Sequence, residues 1–258
     1  MRKLIPVFVA VAAMLTFGLT SATAITDGSP DASNAFPHVG LMVASIGGVP
    51  QWRCSGTLIS PTVYVTAGHC TDGADHIEIW FGTGYPTQIG PADGYPFAGD
   101  VGGTPHTVPG YTFPTRDLGL VVLDTPWVAS TYGALPTAGQ LNSLKPRMST
   151  GFTSVGYGLQ KAFPDATAWK ESRLKTRYIA TPHLLQINTG FVGNFSLLLS
   201  NNASTGGTCF GDSGGPNFLG STNTIAGVTS YGINSNCAGT GGVFRLDKQD
   251  LIDWINSY

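Results

Sequence analysis

The chain has 258 residues, with 13 basic against 15 acidic side chains and a formal net charge of −2. So balanced a charge excludes the electrostatic footprint of a nucleic-acid binder or of a protein held on an anionic membrane. Only 11% of residues are charged and 35 are glycine, a composition that suits an all-β protein with glycine-rich turns.

The first element is a targeting segment. Met1-Arg2-Lys3 is followed by an apolar run to about residue 19 and by Ala22-Thr23-Ala24, the pattern of a secretory signal peptide over residues 1–24. The competing reading, a membrane anchor, is weakened by Pro6 and Gly18 and by a run shorter than the roughly 20 residues a span needs. Cleavage after Ala24 leaves 234 residues with 11 basic and 15 acidic side chains, net −4, enough for one large all-β domain or two small ones.

Short apolar runs bounded by Gly, Pro, Asn or Asp then recur. Strands are expected over 39–44, 56–59, 64–67, 118–123, 153–157, 224–231 and 242–246. The stretch His76-Ile77-Glu78-Ile79-Trp80-Phe81 alternates with period two, as a half-buried strand does, whereas 118–123 is continuously apolar, as a strand covered on both faces would be. Strands at this spacing, with little helical pattern between them, argue for a sandwich or barrel. Residues 82–114 read as long Gly- and Pro-rich loops with one hairpin at most, and 130–146 as a loop joining two halves. One helix is expected at the end, capped by Asp247, with Asp250 in its first turn and Leu251, Ile252 and Ile255 on one face.

Four cysteines follow the signal, consistent with an oxidising destination. Three pairings are possible; sequence order favours Cys54–Cys70 and Cys209–Cys237. A zinc site is disfavoured by the lack of a C-x-x-C or a paired-histidine spacing, and no metal or other cofactor is expected.

The chemistry gathers around Thr208-Cys209-Phe210-Gly211-Asp212-Ser213-Gly214-Gly215-Pro216. Glycines beside a serine let substrate and bare backbone N–H groups approach it. A serine hydroxyl needs a base to become a nucleophile. Of the five histidines, His69 stands at a strand end beside a cysteine, while His38, His76, His106 and His183 sit in loops or beside turn residues. A base in turn needs an acceptor to fix its tautomer, and Asp117 opens the apolar strand at 118–123. Gly211-Asp212-Ser213-Gly214-Gly215 also satisfies the G-x-S-x-G elbow of α/β-hydrolases, but that fold alternates strands with helices and places its histidine after the serine. No histidine follows Ser213.

Thr66-Ala67-Gly68-His69-Cys70, Asp117-Leu118-Gly119-Leu120 and Gly211-Asp212-Ser213-Gly214-Gly215-Pro216, in that order, resemble the chymotrypsin/trypsin family of serine peptidases over nearly all of the chain after residue 24. The resemblance implies two six-stranded antiparallel Greek-key barrels, about 25–135 and 136–258, packed together with a C-terminal α-helix. It implies catalysis by His69, Asp117 and Ser213, with an oxyanion hole formed by the N–H groups of Gly211 and Ser213. It places Gly207 at the floor of a substrate pocket, Gly232 and Gly242 on its walls, Thr208 narrowing it, and Ser230 and Tyr231 on the strand that pairs with substrate. With no acidic residue between 201 and 210, the pocket is expected to be neutral and to take aromatic or large apolar residues. The resemblance also implies that Ile25, freed by signal cleavage, pairs through its ammonium with Asp212. The expected protein is thus a secreted, monomeric serine endopeptidase that acts on proteins and peptides and meets protein inhibitors. The alternatives are a non-catalytic binding protein on the same fold or an esterase-like enzyme.

Overall fold

The computed structural model describes residues 25–160 and 174–258; the expected signal peptide lies outside them. Of the fourteen strands among the described residues, twelve form two closed antiparallel barrels. The first runs β2 (Val39–Ile46), β3 (Val49–Leu58), β4 (Val63–Thr66), β7 (Gly119–Leu123), β6 (Val101–Thr107) and β5 (His76–Trp80), and closes back on β2. The second runs β8 (Arg147–Gly156), β10 (His183–Ile187), β11 (Ser196–Asn201), β14 (Gly239–Arg245), β13 (Ile225–Gly232) and β12 (Pro216–Leu219). A β12–β8 ladder closes it. The short strands β9 (Tyr178–Ala180) and β1 (Ser29–Pro30) extend from β8. This is the pair of six-stranded barrels expected.

Local pattern and burial agree closely in the first barrel. In β5, Ile77 and Ile79 are fully buried while His76 and Glu78 face out and pair with each other at 2.9 Å. Strand β2 is buried at every position except Ile46, because one face fills the barrel and the other meets the second barrel. One apolar cluster runs through both, joining Leu41, Val65 and Leu120 to Val155, Tyr157, Phe218 and Val228. The site described below lies along this seam.

The expected loop region 82–114 contains a full strand, β6. Its Gly103 pairs with Leu123 on one side and Ile77 on the other. A Cβ on Gly103 would lie 2.6 Å from Val121 Cγ1 and 2.6 Å from the Val122 carbonyl. The glycine that disguised the strand is thus the residue that lets it pack. Strands β9 to β12 were likewise not anticipated: they are short or follow no clean alternation.

Two α-helices are present among the described residues: the single turn α1 (Gly68–Thr71) and the C-terminal α2 (Gln249–Ile255). Leu251 and Ile255 are buried as expected, but Asp247 does not cap α2. Lys248 occupies the cap without a side-chain bond. The Asp247 carboxylate instead takes bonds from buried Arg245 at 2.6 and 2.7 Å and from the Leu141 N–H at 2.8 Å. A buried guanidinium left without its carboxylate costs several kcal/mol, so the ion pair outcompetes the cap.

A second buried arginine ties the N-terminal segment to both barrels. Arg177 donates to Asp31 at 2.8 Å, to the carbonyls of Val39 and Phe81, and to the Tyr157 hydroxyl, and also bonds Asn34. Beside it lies His38, 1% exposed, packed between Phe36 and Phe218, with Nδ1 3.0 Å from Thr131 Oγ1 and Nε2 without a partner. Burial, then the Arg177 charge, push its pKa down to about 4, with Asp31 partly opposing. Because the folded value lies below the unfolded value of about 6.5, the unfolded chain binds more protons between them. Stability is therefore lost as pH falls from about 6.5 towards 4, by at most about 3 kcal/mol. Denaturant unfolding across that window should show a shallower slope in His38→Phe than in the parent; parallel slopes would contradict this assignment.

Candidate active site

Strand β4 ends at Thr66, and the single turn of α1 places His69 at the seam. The turn is fixed by the Cys54–Cys70 disulfide and by the Trp52 indole, which donates to the Cys70 carbonyl at 3.0 Å. Asp117, just before β7, is completely buried. Its Oδ1 accepts the His69 backbone N–H at 2.8 Å, its Oδ2 lies 2.9 Å from His69 Nδ1, and Ser230 Oγ on β13 donates to Oδ2 at 2.5 Å. A carboxylate so held keeps the Nδ1 proton on the ring and leaves Nε2 free to accept.

Ser213 lies on the loop before β12, and the loop is pinned at almost every residue. The Ser55 N–H donates to the Ser213 carbonyl at 2.8 Å, Ser55 Oγ donates to the Gly211 carbonyl at 2.9 Å, and the same Oγ accepts the Tyr157 N–H at 3.0 Å. Gly214 N–H reaches the Thr229 carbonyl at 2.7 Å. With φ of +76° and a Thr66 hydroxyl 1.9 Å from where a Cβ would stand, position 214 admits only glycine. Between these anchors the Asp212 N–H turns back to the Cys209 carbonyl. Among the described residues, the N–H groups of Gly211 and Ser213 have no acceptor. Two unused donors flanking a serine would fit the oxyanion hole that the sequence resemblance implies.

Ser213 and His69 line one cavity of about 590 Å³. No hydrogen bond joins the Ser213 hydroxyl to His69, a contact that need not be short before substrate binds. Thr208, Ser230, Tyr231 and Gly232 line the cavity too, as do Phe113, Phe210 and both sulfurs' residues of the Cys209–Cys237 disulfide. No acidic residue among the described ones does. Gly207 and Gly242, expected at its floor and wall, are not among the residues that line it. A Cβ on Gly207 would strike Asn201 at 2.2 Å, and one on Gly242 would strike the Tyr231 ring at 2.4 Å. The Tyr231 hydroxyl is anchored by Ser196 at 2.7 Å. Gly242 thus shapes the pocket by letting the lining Tyr231 sit close, while Gly207 makes room for Asn201, which is not among the lining residues.

Asp212 is fully buried, with Oδ1 accepting the Gly158 N–H at 2.7 Å and Oδ2 the Cys209 N–H at 2.9 Å. Burial raises its pKa to about 7, against the lowering effect of those two bonds and of the Arg53 charge. Ile25, its expected partner, is buried against Tyr178 and Ala180, and the structure does not bond the two. Ile25 has a φ of +46°, an outlying conformation for a β-branched residue.

Other sequence candidates are engaged elsewhere. His76 pairs with Glu78, His106 stacks on Tyr258, and His183 Nδ1 lies 3.2 Å from Ser200 Oγ. Cys54, His69 and Cys70 converge closely enough for a metal, but both thiols are spent in the disulfide. Sequence reasoning missed Ser55, whose partner Gly211 is 156 positions away, and Phe113, whose ring meets His69 edge-on at 5.6 Å. Neither carries a local signal.

Comparison with known proteins bears on the family and the fold. A family model described as Trypsin matches residues 25–255. Serine protease 1 of Drosophila melanogaster is 28% identical over 243 residues, covering 90% of this chain and 84% of its own. Brachyurin of Leptuca pugilator is 28% identical over 246 residues, covering 90% and 97%. Among solved structures, HL collagenase superposes with a TM-score of 0.68 at 18% identity, covering 90% of this chain and 97% of its own. Human heparin binding protein follows at 0.65 and 16%, covering 90% and 96%. At such identities the two structures speak for the fold alone.

Ser55→Ala removes one donor and one acceptor and leaves the Gly211 carbonyl and the Tyr157 N–H unpaired. Each unsatisfied group costs about 1–3 kcal/mol, so the melting temperature should drop by about 5–10 °C. Labelling of Ser213 by a fluorophosphonate should also slow. Scanning calorimetry and timed labelling check both, and an unaltered labelling rate would show that Ser55 does not set the loop.

Proposed function

The chain belongs to the trypsin family, and on that footing we propose that it is a secreted serine endopeptidase whose nucleophile is Ser213. The observation that carries this reading is the buried Asp117 carboxylate, which holds His69 at 2.9 Å in a cavity that Ser213 also lines.

In the proposed reaction Ser213 Oγ attacks the scissile carbonyl carbon while His69 Nε2 takes its proton. The carbonyl oxygen becomes an oxyanion that accepts the N–H groups of Gly211 and Ser213. Collapse breaks the C–N bond, and His69 returns the proton to the departing amine. Water then attacks the acyl-enzyme with His69 again as base, and Ser213 is regenerated. The neutral lining of the cavity, and the aromatic side chains of Phe113, Phe210 and Tyr231 in it, favour aromatic or large aliphatic residues before the scissile bond. A lysine or arginine there would find no carboxylate to meet it.

A fluorophosphonate should label the parent and not Ser213→Ala, and that variant should lose about 10⁶ in kcat, by analogy with another serine protease. Labelling independent of Ser213 refutes the reading. A peptide-library profile dominated by Arg, Lys or Glu before the cleaved bond refutes the pocket assignment alone.

The proposal extends to the amino terminus. The torsion φ of Ile25 is defined by the carbonyl carbon before it, so cleavage after Ala24 abolishes the +46° strain and leaves an ammonium on a buried residue. Asp212, held near pKa 7 by burial, is the carboxylate that such a charge would stabilise. In a chain extended by one alanine before Ile25, Asp212 keeps a folded pKa above its unfolded value of about 3.8, and stability falls as pH rises from about 4 to 7. In a chain beginning at Ile25 the pair's contribution is present below the amine's unfolded value, about 7.7–8.0. It is lost only as pH rises through the amine's raised folded value. Superimposable stability–pH curves for the two chains would remove the pair, and amino-terminal sequencing of secreted protein should find Ile25 first.

A further inference from the structure

Tyr231 lines the cavity that Ser213 and His69 share, and the strand that carries it is irregular at that point. Along the β13–β14 ladder Thr229 faces Val243, and Tyr231 faces the adjacent Gly242. Two steps on β13 thus match one on β14, and Ser230 is the extra residue of a β-bulge. Bulges re-aim side chains. Here Ser230 turns to Asp117 at 2.5 Å, and the ring of the next residue crosses β14.

The crossing ring is held in three places. Its face lies on bare backbone, since a Cβ on Gly242 would stand 2.4 or 2.5 Å from three of the ring carbons. Its edge meets Phe191, from the turn Gly190–Val192, at a centroid distance of 5.9 Å and an angle of 75°. Its hydroxyl reaches β11, the strand beyond β14, and lies 2.7 Å from Ser196 Oγ. Ser196 is fully buried and is not among the residues that line the cavity. Apolar contacts tolerate tilting of the ring, and Phe191 is itself 64% exposed, whereas the hydroxyl bond is directional. Burial raises the Tyr231 pKa against the lowering effect of Ser196, so the bond joins two neutral hydroxyls at neutral pH.

We propose that Ser196 is a positioning residue: through the Tyr231 hydroxyl it fixes the cavity wall against which the acyl half of a substrate binds. The proposal rests on the serine-peptidase reading and adds to it a residue that lies outside the cavity. A wall already immobile loses no rotamer freedom when substrate arrives. A released wall must be ordered at that moment, which weakens binding by about two- to tenfold per side chain. The chemical step itself is not slowed.

The test compares the parent with Ser196→Ala, Tyr231→Phe and the double variant on peptide amides with an apolar residue before the cleaved bond. Slow acylation of amides keeps KM close to a dissociation constant. All three variants lack the bond, so KM should rise by the same factor in each, and kcat/KM should fall through KM. Stability should follow a different order. Tyr231→Phe leaves a buried hydroxyl unpaired and should melt below the parent, whereas the double variant removes both partners and should recover most of that loss. A pair with only a structural role would show KM recovering together with the melting temperature in the double variant, and that result overturns the proposal. An unchanged KM in either single variant overturns it too, as do effects that multiply in the double variant. If Tyr231→Phe does not fold, equal KM rises in Ser196→Ala and the double variant still support the proposal, and unequal ones overturn it. Failure of the catalytic reading shows separately, as absent Ser213-dependent labelling by a fluorophosphonate. In that case dissociation constants of the same peptides, dye-labelled and followed by fluorescence anisotropy, take the place of KM, with the same pattern expected and the same departures overturning the proposal.

Discussion

Everything in the site depends on one buried carboxylate shared between two barrels. Asp117 belongs to the first barrel, at the mouth of β7, and so does His69. The Ser230 hydroxyl that completes its coordination comes from β13 of the second. A charged group without solvent is tolerable only if its lone pairs are occupied. The demand for donors therefore does more than orient an imidazole: it fixes how the barrels meet. The continuous apolar cluster across the seam supplies adhesion, but apolar contact is indifferent to small slides, whereas three hydrogen bonds to one carboxylate are not.

The nucleophile loop follows the same logic with backbone groups in place of charge. Ser55 holds two of its carbonyls, Thr229 holds its Gly214 N–H, and Asp212 beneath it gathers N–H groups from positions 158 and 209. Satisfying every neighbour leaves two N–H donors, those of Gly211 and Ser213, without an acceptor among the described residues. Preorganised donors of this kind stabilise developing charge without reorganising. The glycines are the sterically required consequence: at 214, 207 and 242 the space a side chain would need is already held by Thr66, Asn201 and Tyr231.

Legibility in the sequence followed the range of the forces involved. The strands 39–44, 64–67 and 76–81 were visible because their alternation or apolar continuity is a local record of which faces are buried. His69, Asp117 and Ser213 stood out because each carries its chemistry beside a structural neighbour: a cysteine, a strand opening, a run of glycines. The two disulfide pairings were favoured by order alone, and they form. Strand β6 was hidden because tight packing against Val121 demanded glycine, which reads as loop. Asp247 looked like a helix cap because capping is local, whereas the Arg245 that claims it does so within a barrel that no short window can reveal. Ser55 and Phe113 had no signature at all, since their meaning arises only when chain segments far apart in sequence converge.

The Cys54–Cys70 bond joins more than two strands' worth of backbone. Cys70 is the residue after His69, and Cys54 precedes Ser55, whose N–H and hydroxyl hold the carbonyls of Ser213 and Gly211. One covalent link thus runs from the turn that carries His69 to the clamp that holds the Ser213 loop. That link exists only where thiols are oxidised. The geometry of the candidate site is thereby coupled to redox state: a reduced chain lacks the tie between these two segments.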